Sequence, residues 1–145
     1  MPNHSPSRRL LAVLWALPMT LVGVVFVVLS LLTGGRVAVV GGVIEAHGGV
    51  VRRGLARLPA GRGGAGALTL GHVVLGANAT ALRTSRAHER VHVAQYERLG
   101  IAFPFAYVAS SLSAVLHGEN PYHANRFEKE AAAKSRPRRG AGPEA

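Results

Sequence analysis

Residues 84–100 read TSRAHERVHVAQYERLG, and the five from His88 to His92 decide how the rest of the chain is understood. Two histidines four apart on a helix project from one face, a turn above each other. Imidazoles so placed can bind a single zinc ion. The intervening Glu89 does not bind the metal but can accept a proton from the water that the metal activates. The surroundings predict the helix this chemistry needs. Ser85 is a candidate N-cap, Ala87, Val91 and Ala94 form an apolar stripe, Arg98 falls in the last turn, and Gly100 supplies the stop.

A catalytic zinc site wants three protein ligands and one open position. A third histidine six residues after His92, with a glycine midway, is excluded because those places hold Arg98 and Gln95. The chain contains no aspartate and no cysteine, which removes both as ligands. A glutamate remains, or His117 or His123. Glu128 is the best candidate, in the helix-forming run Asn125 to Lys134 (NRFEKEAAAK) with Asn125 or Asn120 as cap; Glu130 competes with it.

HExxH followed downstream by a Phe-Glu-x-x-Ala helix resembles the gluzincin zinc metallopeptidases. It is most similar to their membrane-embedded CAAX-prenyl-peptidase-like branch and to the small minigluzincins. The resemblance covers roughly Leu68 to Ala132. It implies zinc held by His88, His92 and Glu128, Glu89 as general base, and a peptide or protein substrate. It also implies a transition-state stabiliser, for which Tyr122 and His123 are candidates, with Tyr96 on the motif helix a further one. The CAAX-like branch carries an aspartate where this chain has Ala132, so either the orienting of a motif histidine passes to Glu130, Glu45 or a backbone carbonyl, or the site is weaker.

Outward from the motif, the chain of 145 residues divides unevenly. Met1 to Arg9 is a short tail ending in two arginines. Leu10 to Leu32 carries no charge over 23 residues, roughly 35 Å of helix, enough to cross a bilayer once. It is longer than the apolar core of a signal peptide, and no small-residue cleavage pattern follows it. A single-pass membrane anchor is therefore expected. Arg8 and Arg9 argue for an inside N-terminus and the basic chain after the anchor argues the reverse, so the side of the membrane stays open.

Residues 34–134 are expected to form the zinc domain. Val37 to Val40 and Val43 to His47, split by Gly41-Gly42, read as strands. Val50 to Leu58 reads as a basic amphipathic helix lying either on lipid headgroups or on the protein. Pro59 to Gly66 is loop. Ala67 to Gly76 reads as a hairpin bent at Gly71, able to pair with an extended substrate, with His72 as a structural or groove residue. Ile101 to Leu116 is an uncharged helix of interfacial or buried length. It must turn back, lie at the interface or pack on the motif helix, because His92 and Glu128 cannot share a metal from opposite sides of a membrane. Ser135 to Ala145 is expected to be a disordered basic tail.

The fold class expected is α+β: an N-terminal transmembrane helix, then a small zincin-like domain with a short sheet, the HExxH helix, an apolar connecting helix and a Glu-bearing helix. The net charge of +10 suits anionic lipid. Nucleic acid is not expected as a partner, because the arginines are scattered and few aromatics stand among them. Three functions follow: a membrane-anchored zinc metallopeptidase, a catalytically inactive zinc-stabilised, membrane-associated binding domain, or, least favoured, a basic membrane-surface or nucleic-acid-binding module with a fortuitous motif.

Overall fold

Glycines at two tight turns build the sheet. Gly41 and Gly42 both take positive φ, 55° and 78°, as a two-residue hairpin turn of the twisted kind requires. They join β1 (Arg36–Val40) to β2 (Val43–His47) with Val40 opposite Val43. Gly71, at φ 61°, does the same for β3 (Ala67–Leu70) and β4 (Val73–Gly76), with Leu70 opposite Val73. β2 and β4 pair in parallel, giving one four-stranded sheet in the order β1-β2-β4-β3. The computed structural model describes residues 6–58 and 66–136. Most of the expected loop at Pro59 to Gly66, and the expected tail beyond Arg136, lie outside those residues.

The helices are α1 (Pro6–Leu32), α2 (Gly49–Leu55), α3 (Ala79–Leu99), α4 (Ala102–Leu116) and α5 (Arg126–Ser135), so the class is α+β as expected. Strand alternation splits the core into two layers. Val73, Leu75 and Ala46 meet Val27 of α1 and Val51 and Leu55 of α2 on one face. Val43 and Val74 meet Leu82 and Val93 of α3 on the other. A third cluster gathers Ala16, Tyr96, Phe103 and Phe127, tying α1, α3, α4 and α5 together beyond the end of the sheet. The apolar side of α2 is thus spent on protein, leaving Arg52 and Arg53 exposed.

α1 begins at Pro6 rather than Leu10, with proline suited to the first turn. Its stretch Arg9–Leu32 is long and apolar enough to cross a membrane. It is also built into the domain. Thr20 Oγ1 accepts from the His72 N–H at 3.0 Å, and Thr33 Oγ1 accepts from the Val50 N–H at 2.8 Å. A Cβ on Gly23 would stand 2.6 Å from Val73 Cβ, so only glycine lets the helix approach the strand this closely.

α3 starts six residues before the expected cap. Asn78, in extended conformation after β4, accepts from the Ala81 N–H at 2.8 Å. Ser85 instead donates to the Ala81 carbonyl from within the helix at 2.7 Å. The expected stripe is corrected too: Ala87 and Ala94 are exposed, and the buried side carries Leu82, Glu89, His92, Val93, Gln95 and Tyr96. That face can be polar because its side chains satisfy one another, as the site shows. At Gly100 the chain turns through 115° into α4.

Candidate metal centre

α3 and α5 each bring ligand atoms to one point. His88 Nε2 lies 2.9 Å from Glu128 Oε2. His92 Nε2 lies 3.1 Å from His88 Nε2 and 3.3 Å from Glu128 Oε1. Donors arranged tetrahedrally around zinc stand roughly 3.3 Å apart, so the triangle matches what one ion needs. His88, His92 and Glu128 form a group able to hold a metal ion, with His92 and Glu128 buried. The sequence-based placement of Glu128 beside both histidines therefore corresponds to the geometry. His117 is exposed, bonded to its own helix at Ser113 O, and lies outside the group.

The position of Glu128 follows from local structure. Asn125, fully buried, caps α5 by accepting from the Phe127 N–H at 2.9 Å. Its amide nitrogen donates to Tyr107 O at 3.0 Å and Ser111 Oγ at 2.7 Å, clamping the cap to α4. Asn120, the other expected cap, serves the preceding turn, accepting from the Tyr122 and His123 N–H groups.

Gln95 does the orienting that Ala132 cannot. Its Nε2 donates to Glu130 Oε2 at 2.9 Å and to Phe127 O at 3.2 Å. Both are acceptors, which turns Oε1 towards His92 Nδ1, 2.8 Å away. A carbonyl oxygen only accepts, so Nδ1 carries the hydrogen and Nε2 offers its lone pair to the group. Glu130 acts through Gln95 and is held by Arg98 and Lys134, whose hydrogen bonds draw its carboxyl down to about 2. It is not a ligand. Glu45, the other expected orienter, belongs to a different network: Arg86 Nε and Nη2 grip its two oxygens at 2.8 Å each.

The charges of the site complement a cation. Burial alone would raise the Glu128 carboxyl; hydrogen bonds from His88, His92 and Tyr107 outweigh it and hold the group far below the usual range. Burial alone would lower His92; the Glu128 and Glu89 carboxylates reverse this and raise it. Positive charge is favoured between these acids, whether as a proton or as a metal ion that displaces it. Glu89 is buried, and burial lifts its carboxyl. Thr69 Oγ1 of β3 donates to Glu89 Oε2 at 2.7 Å.

Three contributors were not singled out from sequence: Gln95, Tyr107 and Thr69. Gln95 stands three residues after His92, the helical neighbour spacing. Tyr107 opens a polar row with Ser110 and Ser111 in an otherwise apolar helix, and its hydroxyl donates to Glu128 Oε1 at 2.7 Å. Nothing in the local pattern marks Thr69. Among the expected stabilisers, Tyr122 is half-buried and its hydroxyl is raised by burial and by the Glu128 charge. His123 is exposed and packs edge-on against it, ring centroids 5.4 Å apart. Tyr96 is a core residue packed on Phe103. His72 Nε2 pairs with Glu97 at 2.9 Å, away from the metal group.

Comparison with protein-family models, with curated proteins and with solved structures finds no match for this chain. The gluzincin resemblance stands on the motif residues alone.

Proposed function

We propose that the chain is a membrane-held zinc metallopeptidase of the gluzincin type, with a zincin-like domain built on α3 and α5. The observation that carries this reading is the meeting of His88, His92 and Glu128 from two helices beside a buried Glu89. Two histidines and a glutamate are a common ligand set for catalytic zinc, which supplies a Lewis acid and a water of lowered pKa when bound.

The chain's own groups then have distinct tasks. Gln95 fixes the His92 tautomer, and Tyr107 fixes the Glu128 carboxylate. Glu89, held by Thr69 and raised by burial, takes the proton of the attacking water and passes it to the leaving amine. Tyr122, whose hydroxyl feels the Glu128 charge, would donate to the carbonyl oxygen as charge develops on it.

The substrate strand lies along β3, an edge of the sheet. Ala77 N bonds Gly66 O, which by alternation turns the main-chain groups of Ala67 and Thr69 away from β4. An extended peptide pairing there passes the residue that holds Glu89. α1 is the element that keeps the enzyme at a membrane.

The test is digestion of a peptide library by the purified full chain with and without chelator, beside Glu89→Gln. Parent cleavage that the chelator stops, and that Glu89→Gln lowers about 100-fold or more with zinc still bound, is expected. Undiminished cleavage by Glu89→Gln rejects Glu89 as base. A parent that binds zinc and cleaves nothing is instead the zinc-stabilised binding domain.

A further inference from the structure

α1 is long and apolar enough to cross a membrane, and the protein packed along it bears on how it is placed there. Protein stands against it from Trp15, which closes on Gly100, to Thr33, which bonds Val50. That is roughly 27 Å of helix, nearly the whole thickness of a bilayer's hydrocarbon core. The sheet, α2 and α3 run beside α1 rather than beyond its end. A crossing would therefore carry the exposed Arg52, Arg53 and Arg83 of α2 and α3 to hydrocarbon depth, where such charges are strongly disfavoured.

The apolar surface is arranged for a different placement. Small and polar residues of α1 (Ala16, Thr20, Gly23, Ser30) face the domain, while Leu14, Leu21, Val25, Phe26 and Leu32 are exposed. α4 is built the same way round. Tyr107, Ser110 and Ser111 bond inward to α5, and Ile101, Phe105, Val108, Leu112 and Val115 form an exposed stripe, Phe105 being 73% exposed. The two faces adjoin where Trp15 covers Gly100, next to exposed Ile101. No charge interrupts α4, and the net charge of +10 suits anionic headgroups.

We propose that α1 and α4 form one lipid-facing surface, and that α1 lies in the plane of the bilayer, embedded in a single leaflet, without crossing it. The occupant of this surface is lipid. The placement itself needs neither zinc nor hydrolysis. If the proposed peptidase reading holds as well, the His88–His92–Glu128 group works at the membrane surface, on peptide segments that emerge from the bilayer.

The chain has no cysteine and one tryptophan, Trp15, so reporters can be placed singly. Ser7→Cys and Arg36→Cys in the full chain put a thiol at either end of α1. In sealed right-side-out and inverted membrane vesicles, a membrane-impermeant maleimide is expected to label both from the same side. Labelling from opposite sides, or a chain that does not sediment with the membranes, overturns the proposal. In anionic vesicles, brominated acyl chains are expected to quench Trp15, and equally a tryptophan moved to α4 by Trp15→Phe with Phe105→Trp. An unquenched tryptophan in a self-associated chain means that a second copy covers the surface, and overturns it too. None of these readouts depends on metal binding or cleavage, so they fail or succeed separately from the peptidase assay.

Discussion

Gln95 Oε1 lies 2.8 Å from His92 Nδ1, and that contact sets which nitrogen of His92 is free for a metal. An interaction of this kind tunes metal affinity without touching the metal. Gln95→Leu is expected to weaken zinc binding by about 10–100-fold, while Gln95→Glu, which keeps an acceptor, recovers part of the loss. Competition for zinc against a chelator of known affinity checks both. Equal affinity in Gln95→Leu and the parent would dissociate Gln95 from the site.

Two tyrosines near Glu128 are expected to act differently. Tyr107 donates to Glu128 Oε1, so Tyr107→Phe should lower zinc affinity about 10–100-fold, the worth of one hydrogen bond to a charged group. Tyr122→Phe should leave zinc affinity unchanged and lower kcat about 100-fold, as the loss of a donor to developing charge does. Zinc titration and steady-state kinetics on the two variants separate the roles. A Tyr122→Phe enzyme with parental kcat removes Tyr122 from the chemistry.

Acid stability should register Glu45. Hydrogen bonds from Arg86 hold its carboxyl below the ordinary value against the effect of burial. A folded-state pKa below the unfolded one contributes stability that is present above about 4.3 and lost as pH falls through the lower folded value. Glu45→Gln should therefore lower the denaturation midpoint at pH 7 and flatten the fall in stability below about pH 4.3. Denaturant titrations over a pH series give both; parallel curves would contradict the assignment.

Asn125 joins two helices through one buried amide, capping α5 and bonding α4. Asn125→Ala should cost about 2–3 kcal/mol, a lost cap together with unsatisfied buried partners. Because α5 carries Glu128, zinc affinity should drop along with the thermal midpoint. A destabilised variant with unaltered zinc affinity would show that the cap does not position the ligand.

The two hairpins and the helix stop at Gly100 were legible because glycine at positive φ is a local demand, written at Gly41, Gly42, Gly71 and Gly100. His88 and His92 were legible as a pair because helical spacing puts them on one face, whereas Glu128 emerged from the missing aspartate and cysteine together with the motif resemblance. The start of α3 was misplaced because serine and asparagine compete for the same capping role. Only tertiary context shows that Ser85 bonds back into a helix already begun at Asn78. The buried side of α3 was misjudged for a related reason. Apolar periodicity points to Ala87 and Ala94, whereas the face turned inward is polar and self-satisfied. The parallel pairing of β2 with β4 and the contact of Thr69 with Glu89 join residues far apart in the chain and leave no local trace.

The seating of α1 was also written in the chain, in a form that hydropathy conceals. Ala16, Thr20, Gly23, Val27 and Ser30 recur at three- and four-residue steps, the rhythm of a helix face meant for protein contact. These residues make the helix part of the domain's packing. Cutting the chain after Thr33 would uncover Val73, Leu75, Val51 and Leu55 together. A soluble form trimmed in the usual way, behind its greasy segment, would lay open the cluster that Val27 covers and should precipitate.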